Sequence, residues 1–254
     1  MNINNILIKS LARSLYPIGN VRTVVRGPGR GLKFIVTRGN GVTYAWFMYS
    51  HWIQFLQQKI SLGSVIYDVG GNTGHVAMLF SKITGKDGCV YSFEPSARPR
   101  NIFHENLILN NSIGNVNIID QALTDTEGEK QFIIPNGKDT EGSLQHATHN
   151  HLVTNKLEQF TVYSTTLDLF TQSHPVPHFI KIDVEGGAGS VLSGAERLLS
   201  TAAPAIYIEF HNETEKNAVA QMLLKHRYKV FSLFGKEIFY LMDRWHSAVY
   251  CTRR

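Results

Sequence analysis

The sequence predicts a doubly wound α/β domain built on a mostly parallel sheet. From residue 64 onward, short apolar stretches typical of buried strands alternate with longer stretches typical of helices, which is the pattern of βαβ units. A glycine-rich turn at Gly70–Gly74 directly follows the first of these strands, as it does in folds that bind nucleotides at the carboxyl edge of a sheet. A chain of 254 residues, 43% of them hydrophobic, is large enough to bury the core of one such domain.

Residues 1–42 are expected to form an extension ahead of this domain. Residues 2–15 carry apolar side chains at helical spacing, which indicates a short helix that packs on the domain, with weak contact to a membrane surface as the alternative. Val21–Val25 and Leu32–Thr37 are β-rich and flank a turn of glycine and proline, which predicts a β-hairpin. A further helix is expected from residue 43 to about residue 60.

The central sheet is expected to contain five strands before the chain reaches its last hairpin. These strands are predicted at Ser64–Val69, Cys89–Glu94, Val116–Asp120, His178–Asp183 and Ala205–Phe210. The intervening helices are predicted near 73–83, 97–110, 189–200 and 214–226. The β-rich stretches Lys229–Phe234 and Glu237–Met242 then predict an antiparallel hairpin that closes the sheet.

Residues 130–163 interrupt this alternation and are expected to form an insertion with strands of its own. Ligands of doubly wound folds bind outside the carboxyl ends of the strands, so most of the insertion should lie on the substrate side of the sheet. The predicted organisation is therefore an extension at 1–42 and a domain at 43–254 that carries the insertion at about 130–163.

The first predicted strand ends in an acid and is followed by a turn that contains Asp68, Gly70, Gly71, Asn72 and Gly74. Glycines allow a sharp turn and lack the Cβ atom that would keep a ligand away from the backbone. A diphosphate cofactor favours an uncharged, amide-rich turn, whereas a carboxylate at the strand end favours a cationic ligand. The motif therefore favours S-adenosylmethionine, which has an ammonium and a sulfonium group but no phosphate.

The next two strands also end in polar residues that suit a nucleoside. Glu94 ends the second strand beside Pro95, at the position from which a carboxylate can accept both ribose hydroxyls. The alternative for Glu94 is that it caps the helix that follows. After the third strand, Gln121 or Asp120 can reach the adenine amino group and the Ala122 backbone can meet the ring edge, with ordinary loop polarity as the alternative.

The fourth and fifth strands end in the candidate catalytic residues Asp183, Glu185, Glu209 and His211. Asp183 and Glu185 share one face if the fourth strand continues that far, and Glu209 and His211 alternate onto one face in the same way. Methyl transfer from a sulfonium requires mainly that the acceptor be positioned, and a base adds to the rate for an alcohol acceptor. Turn and capping carboxylates are the alternative for Asp183 and Glu185.

Composition argues against several other classes of protein. The formal net charge of +5 comes mostly from scattered lysines and arginines, and nucleic-acid binding would need a denser basic stripe with interleaved aromatic residues. The apolar runs are too short to span a membrane, and the N-terminus lacks the features of a signal peptide. Cys89 and Cys251 are the only cysteines, which favours a reducing cytoplasm.

Histidines outside the strand ends are weaker candidates. His146, His149 and His151 lie in the insertion, but their spacing matches no strong metal template, so we expect no metal site. His75 at the start of the first helix of the sheet and His51 in the preceding helix are candidate cleft residues without independent support.

The ordered motifs resemble those of the FkbM-type methyltransferase family from about Arg22 to Asn212. The resemblance rests on Asp68-Val-Gly-Gly-Asn72-Thr-Gly74, Phe93-Glu94-Pro95, Asn106 to Asn110, Gln121-Ala122-Leu123-Thr124-Asp125, Thr166-Leu167-Asp168, Lys181-Ile-Asp183-Val-Glu185-Gly186, Val191-Leu-Ser-Gly-Ala195, and Pro204 followed by Glu209. It implies a class I, Rossmann-like methyltransferase fold, S-adenosylmethionine as cofactor and, usually, O-methylation of a hydroxyl on a sugar or secondary metabolite.

The resemblance also implies roles for individual residues. Asp68, Gly70, Asn72 and Gly74 would hold the methionine part of the cofactor, Glu94 the ribose, and Gln121 with Ala122 the adenine. Asp183 and Glu185 would face the reacting centre.

Two departures from the family pattern bear on the catalytic end. Ala188 stands where the family commonly has an acid, and Ser50 follows Tyr49 where a glutamate is frequent. These departures favour one alternative, a catalytically silent cofactor-binding or scaffold protein. An N- or carboxyl-methyltransferase on the same fold is a further alternative. A nicotinamide dehydrogenase is disfavoured by Asp68 and by the absence of a G-x-G-x-x-G motif.

Overall fold

An eight-stranded mixed sheet lies at the centre of the computed structural model, which describes residues 17–37, 51–111, 114–135, 142–144, 157–239, 241 and 246–253. In chain order, the described strands are β1 (Val21–Thr23), β2 (Lys33–Ile35), β3 (Val65–Val69), β4 (Cys89–Phe93), β5 (Val116–Ile119), β6 (Ala122–Leu123), β7 (Gly128–Pro135), β8 (Ser143–Leu144), β9 (Leu157–Thr165), β10 (Phe179–Ile182), β11 (Ala205–Glu209), β12 (Lys229–Phe231), β13 (Glu237–Ile238) and β14 (Ala248–Thr252). The described helices are α1 (His51–Gln57), α2 (His75–Thr84), α3 (Ala97–Leu109), α4 (Leu167–Phe170), α5 (Ala188–Ser193), α6 (Glu196–Thr201) and α7 (Glu213–Lys225).

The strand order of the large sheet is β13-β12-β14-β11-β10-β3-β4-β5. The five strands from β11 to β5 are parallel, whereas β14 runs antiparallel to both β11 and β12. The order of the strands reverses between β3 and β10, and the carboxyl ends of β3, β4 and β5 lie side by side. This arrangement is the doubly wound, mostly parallel sheet that the sequence predicts, and it brings the three predicted nucleoside-binding strand ends together.

Helices cover both faces of the sheet because its central strands are apolar on both sides. On one face, Ile180 and Ile206 pack with apolar residues of α5, α6 and α7. On the other face, Ile66 and Phe179 pack with apolar residues of α1, α2 and α3. At about 25 cal/mol for each Å² of apolar surface removed from water, these two layers supply the main driving force for folding.

The carboxyl-terminal part of the sheet differs from the prediction. The hairpin of β12 and β13 forms, but β14 lies between β12 and β11 and was not predicted. The predicted helix 189–200 is two short helices, α5 and α6, with Gly194 and Ala195 between them. Gly194 has no room for a Cβ atom, which would lie 2.0 Å from the Thr124 carbonyl oxygen, so the chain turns where it meets this neighbour.

The predicted insertion contributes most of a second sheet, with the strand order β6-β9-β7-β8. Phe132, Ile134, Leu144 and Val162 form a small core of their own in this sheet. The antiparallel hairpin of β1 and β2 also forms, and its Phe34 packs among apolar residues of α1 and α2. The predicted helix at 2–15 and the start of the helix predicted from residue 43 lie outside the described residues. In the described part of the chain, no helix combines the length and apolar character that crossing a membrane requires.

Candidate active site

A cleft opens at the carboxyl ends of β3, β4, β5 and β10, beneath the second sheet. It holds about 820 Å³ of space, part of it open to solvent. Its walls are formed by Val69, Gly70, Asn72, Phe93, Glu94, Pro95, Ser96, Pro99, Gln121, Ala122, Leu123, Phe132, Ile134, Gly142, Ser143, Leu144, Asp183, Val184, Glu185 and Gly187. Eight of the predicted site residues line it, namely Gly70, Asn72, Glu94, Pro95, Gln121, Ala122, Asp183 and Glu185. The other predicted residues, Asp68, Gly71, Gly74, Glu209 and His211, are not part of its wall.

The glycines of the turn after β3 are required by contacts within the protein, and their close approach to a ligand stays a prediction. A Cβ atom on Gly70 would lie 1.9 Å from the Asp183 carbonyl oxygen, and one on Gly74 would lie 2.0 Å from the Phe103 ring. Both glycines also have positive φ, at 83° and 85°, which other L-residues rarely adopt. A Cβ atom on Gly71 would lie 2.1 Å from Ser92 Oγ. The turn is therefore held tightly against β4, β10 and α3, and this packing fixes the floor of the cleft.

Asp68 is not part of the cleft wall, and its side chain makes contacts within the protein, so the ligand contact predicted for it stays a prediction. Its side chain is fully buried and forms an ion pair of 3.2 Å with Lys181 Nζ. Its other oxygen accepts a hydrogen bond of 2.8 Å from Ser92 Oγ. The cation that Asp68 meets is therefore a lysine of β10, because register pairs these two residues in neighbouring strands.

Lys181 is a candidate functional residue that lies in a family motif but has no role among the sequence-based predictions. It is buried, and its Nζ lies 3.2 Å from Asp68, 3.6 Å from Asp183 Oδ2 and 2.8 Å from the Gly70 carbonyl oxygen to which it donates. Burial alone would lower the pKa of Lys181, but the charges of Asp68, Asp183 and Glu209 outweigh it and raise that pKa. Lys181 is therefore a fixed cation that joins the turn after β3 to the catalytic end. The signal for it was a lysine inside the apolar run Phe179–Ile182.

Glu94 is the buried carboxylate of the cleft wall. Its Oε2 accepts a hydrogen bond of 2.8 Å from the Asn72 N–H, and its Oε1 accepts one of 2.8 Å from the Ser96 N–H. Burial raises the pKa of Glu94 to about 7, against the opposing effects of the Ser96 and Asn72 hydrogen bonds and of the charges of Arg100 and Lys181. Each carboxylate oxygen retains acceptor capacity toward the cleft, which suits a ligand with neighbouring hydroxyl groups.

The strand end after β5 places Gln121 and Ala122 in the cleft wall beside Pro95. Asp120, the alternative to Gln121, is exposed and is not part of the wall. Asn72 has a left-handed backbone with φ of 48°, and its side-chain oxygen accepts a hydrogen bond of 2.7 Å from the Thr73 N–H. Strained backbone of this kind persists where the surroundings determine it, and it is frequent at ligand sites.

Asp183 and Glu185 reach the cleft through a turn and not through an extended strand. β10 ends at Ile182, and Glu185 then adopts a left-handed backbone with φ of 47°. The turn brings both carboxylates close to His211 Nε2, with Asp183 Oδ1 at 3.3 Å and Glu185 Oε2 at 3.6 Å. Strand alternation was therefore the wrong reason for the correct expectation that the two acids lie together.

The charges around Asp183 determine its protonation state. Burial opposes ionisation of Asp183, but the charge of Lys181 and the hydrogen bond and charge of His211 lower its pKa. Burial would also lower the pKa of His211, yet its contacts with Asp183 and Glu215 and the charge of Glu185 raise that pKa to about 10. At neutral pH the site therefore holds an ionised Asp183 beside a protonated His211.

Glu209 lies behind Asp183 and does not reach the cleft wall. Its Oε1 accepts a hydrogen bond of 2.9 Å from the Tyr207 hydroxyl. Burial and the nearby charge of Asp183 raise the pKa of Glu209, and Lys181 opposes this. Glu209 and His211 both interact with Asp183 from the end of β11, but neither is part of the cleft wall in which the alternation would place them.

Of the remaining histidine candidates, only His75 has a side chain within the described residues, and it is not part of the cleft wall. His75 is buried, its Nδ1 lies 2.8 Å from Thr73 Oγ1, and its ring packs edge-on against Phe34 at 4.8 Å. Burial lowers the pKa of His75 to about 3, so it is a neutral core residue. The side chain of His51 and the whole of His146, His149 and His151 lie outside the described residues.

Comparison with known proteins identifies the family. The family model described as the methyltransferase FkbM domain matches residues 68–232, which is well over half of the chain. The chain belongs to the FkbM methyltransferase family. The resemblance inferred from the ordered motifs is thereby confirmed. A comparison of the sequence with curated proteins gives no match.

Two solved structures are similar to this FkbM-family chain at low sequence identity. Methyltransferase FkbM from Methylobacillus flagellatus KT aligns with a TM-score of 0.52 and 18% identity, over 76% of this chain and 44% of that one. The chain thus spans less than half the length of that protein. A SAM-dependent O-methyltransferase from Thermotoga maritima aligns with a TM-score of 0.50 and 10% identity, over 93% of this chain and 78% of that one. These likenesses confirm the class I, Rossmann-like α/β fold.

One departure from the FkbM pattern can be located in the structure. Ala188 is fully buried at the start of α5, and its N–H donates a hydrogen bond of 3.0 Å to Glu215 Oε1. Glu215 had no signal in the sequence, because only the packing of α7 brings it to this place. The other departure, Ser50, lies outside the described residues.

Proposed function

We propose that the protein is an S-adenosylmethionine-dependent methyltransferase that methylates a hydroxyl group of a carbohydrate or secondary metabolite. The proposal rests on one observation: Glu94 and Gln121 line the same cleft as Asp183 and Glu185. One end of this wall suits a nucleoside, and the other end carries acids that suit an acceptor. Membership of a methyltransferase family supports the same reaction.

The residues of the cleft fit this cofactor. Glu94 is held in place by two backbone N–H groups and can accept ribose hydroxyls, while Gln121 and the Ala122 backbone can contact the adenine. The acids Asp183 and Glu185 provide a negative environment for the cationic end. The cofactor supplies an activated methyl group on a sulfonium that is already a good leaving group.

The catalytic task of the chain is to orient the acceptor and to take its proton. Lys181 and His211 keep Asp183 ionised, so Asp183 can accept a hydrogen bond from the acceptor hydroxyl and direct its oxygen. When methylated, the acceptor oxygen would carry an acidic proton, and a base beside it would be needed to take that proton. A carboxylate with a lowered pKa is a sufficient base for that proton, which passes to Asp183. His211 is protonated and cannot be the base, so its role is electrostatic.

The partners and location are proposed on narrower grounds. We propose a small-molecule or glycan acceptor. We also propose a cytoplasmic location, because both cysteines are free thiols. Contact of residues 2–15 with a membrane surface stays a prediction from their helical spacing.

The experiment that tests the function uses S-adenosylmethionine with a deuterated methyl group. Purified protein is first titrated with this cofactor and with NAD in a calorimeter, and binding of NAD in its place would contradict the proposal. The protein is then incubated with the labelled cofactor and host extract, and labelled products are identified by mass spectrometry. A label on a hydroxyl oxygen supports the proposal, whereas a label on nitrogen or a carboxyl group assigns a different acceptor. If the protein binds the cofactor but gives no labelled product, the alternative of a catalytically silent cofactor-binding protein is favoured, and the absence of an acid at Ala188 is consistent with it.

A further inference from the structure

Glu215 is a buried carboxylate of α7 to which the proposed function assigns no role. Asn212 caps α7 by accepting a hydrogen bond of 2.7 Å from the Glu215 N–H. In a capping box, the acid three positions after the cap accepts a hydrogen bond from the backbone at the helix start. Glu215 makes a related contact, because its Oε2 accepts a hydrogen bond of 2.8 Å from the His211 N–H.

The contacts of Glu215 extend beyond those of a helix cap. Its Oε1 accepts a hydrogen bond of 3.0 Å from the Ala188 N–H, at the start of α5. Its Oε2 also lies 3.5 Å from Nδ1 of the His211 ring. The side chain is fully buried, although a surface cap would remain open to water. One carboxylate therefore connects the start of α5, the end of β11 and the ring of His211.

The two ring nitrogens of His211 face different carboxylates. With Nδ1 facing Glu215, Nε2 faces Asp183 at 3.3 Å and Glu185 at 3.6 Å, and both of these acids line the cleft. The charged groups around the ring are thus Asp183 and Glu185 from the turn after β10 and Glu215 from α7. Lys181 of β10 acts on Asp183, and Glu209 of β11 interacts electrostatically with both Asp183 and His211. Among the ion pairs of the described residues, Glu215 is the only partner of Nδ1, whereas Asp183 and Glu185 are the partners of Nε2.

We propose that Glu215 is a positioning residue for the reaction: its buried carboxylate holds the His211 ring so that Nε2 orients Asp183 and Glu185 toward the acceptor. The inference rests on the proposed function for its effect on turnover, but the contact between Glu215 and the ring is measurable without substrate. Without the Glu215 charge, the ring would lose a partner on Nδ1 and with it the fixed direction of Nε2.

The test is Glu215→Gln, which keeps the size of the side chain and removes its charge. The ring of His211 is followed by NMR titration, with its signal assigned by its loss in His211→Gln. We expect the titration midpoint to fall by at least one pH unit from about 10, because the ring loses one of its carboxylates. We also expect kcat to fall about tenfold or more while the Kd for S-adenosylmethionine changes less than twofold, since Glu215 does not line the cofactor cleft. Glu105→Gln, on the exposed side of α3, is the matched control and should change neither quantity.

The proposal is overturned if folded Glu215→Gln keeps the wild-type titration of His211. It is also overturned if Glu215→Gln lowers kcat equally in wild-type and His211→Gln backgrounds, because a simple cap would act without the ring. If Glu215→Gln does not fold, Glu215→Asp is used, because its side chain is one methylene shorter and holds the charge farther from the ring. An unchanged titration midpoint of His211 in Glu215→Asp overturns the proposal. A wild-type protein that does not bind S-adenosylmethionine contradicts the proposed function, and the NMR titration still decides whether Glu215 holds the ring.

Discussion

The protonation of Glu94 should control cofactor affinity, because its carboxylate is the buried acceptor in the nucleoside end of the cleft. Above its pKa of about 7, Glu94 is ionised and accepts ligand hydroxyls; below that pH it binds a proton and loses acceptor strength. We therefore expect the affinity for S-adenosylmethionine to fall about tenfold or more between pH 8 and pH 5.5. Glu94→Gln should weaken binding by about 10- to 100-fold at pH 8 and make it nearly independent of pH. Calorimetry at the two pH values checks this, and Glu105→Gln should behave as the wild type does. A wild-type affinity that is constant over this range would contradict the role of Glu94.

Gly74 should be intolerant of even one methyl group. In Gly74→Ala the new Cβ atom would overlap the Phe103 ring at 2.0 Å, and the residue would have to keep its φ of 85°. We expect the free energy of unfolding to fall by about 3 kcal/mol or more, from backbone strain and displacement of a buried ring together. Gly114→Ala is the control, because its Cβ atom would meet nothing within 4 Å, and it should change stability by less than about 0.5 kcal/mol. Denaturant unfolding of the two variants measures the difference, and equal stabilities would show that the turn after β3 can shift away from α3.

At the scale of elements, the register of β3 and β10 places a buried cation between two acids. Lys181 pairs across the strands with Asp68 and reaches Asp183 at the end of its own strand. Lys181→Met keeps an unbranched side chain of similar length and leaves both carboxylates without this charge. We expect it to lower the free energy of unfolding by about 3 to 5 kcal/mol, since a buried ion that loses its partner is strongly destabilising. Lys86→Met, at an exposed position, should have an effect below about 0.5 kcal/mol. Chemical denaturation measures the free energy of unfolding of both variants. A Lys181→Met protein as stable as the wild type would mean that Asp68 and Asp183 become protonated without loss of stability.

The elements that the sequence predicted are those whose signals are local. The strands β3, β4, β10 and β11 are apolar runs bounded by polar residues, and their observed bounds differ from the predicted ones by one residue at one end, or at both ends for β10. The residues of the cleft wall follow from the same signals, because strand ends in a parallel sheet meet at one edge. Glu94 and Gln121 were therefore found from sequence alone.

The features that the sequence did not predict depend on contacts between distant parts of the chain. β14 is short, and it forms a strand because it pairs with β11 on one side and with β12 on the other. Glu215 is one of several acids on a polar helix, and only the packing of α7 against α5 brings it to Ala188 and His211. The left-handed backbone of Glu185 likewise depends on its surroundings and could not be inferred from the residue type.

At the scale of the whole molecule, burial affects ionisable groups differently in two of the regions that the structure describes. Around Asp183 and His211 the charged forms are favoured, because neighbouring groups of opposite charge outweigh the effect of burial on the pKa values. His75 lies instead beneath the β1–β2 hairpin against Phe34, where burial alone acts on it. The hairpin covers a neutral histidine that has to become charged when the protein unfolds in acid.

Acid unfolding should therefore depend on His75. Its pKa is about 3 in the folded state and about 6.5 when unfolded, so the unfolded state binds the extra proton between these values. The stability that His75 contributes is present above pH 6.5 and is lost as the pH falls from 6.5 toward 3. We expect the stability advantage of the wild type over His75→Asn to shrink by about 2 to 3 kcal/mol between pH 7 and pH 4.5, because the asparagine takes up no proton. His104→Asn, at an exposed position of α3, is the control and should keep a constant difference from the wild type within about 0.5 kcal/mol. Urea unfolding at the two pH values measures these differences, and an equal advantage at both would mean that the hairpin opens to water and leaves His75 free to titrate in the folded protein.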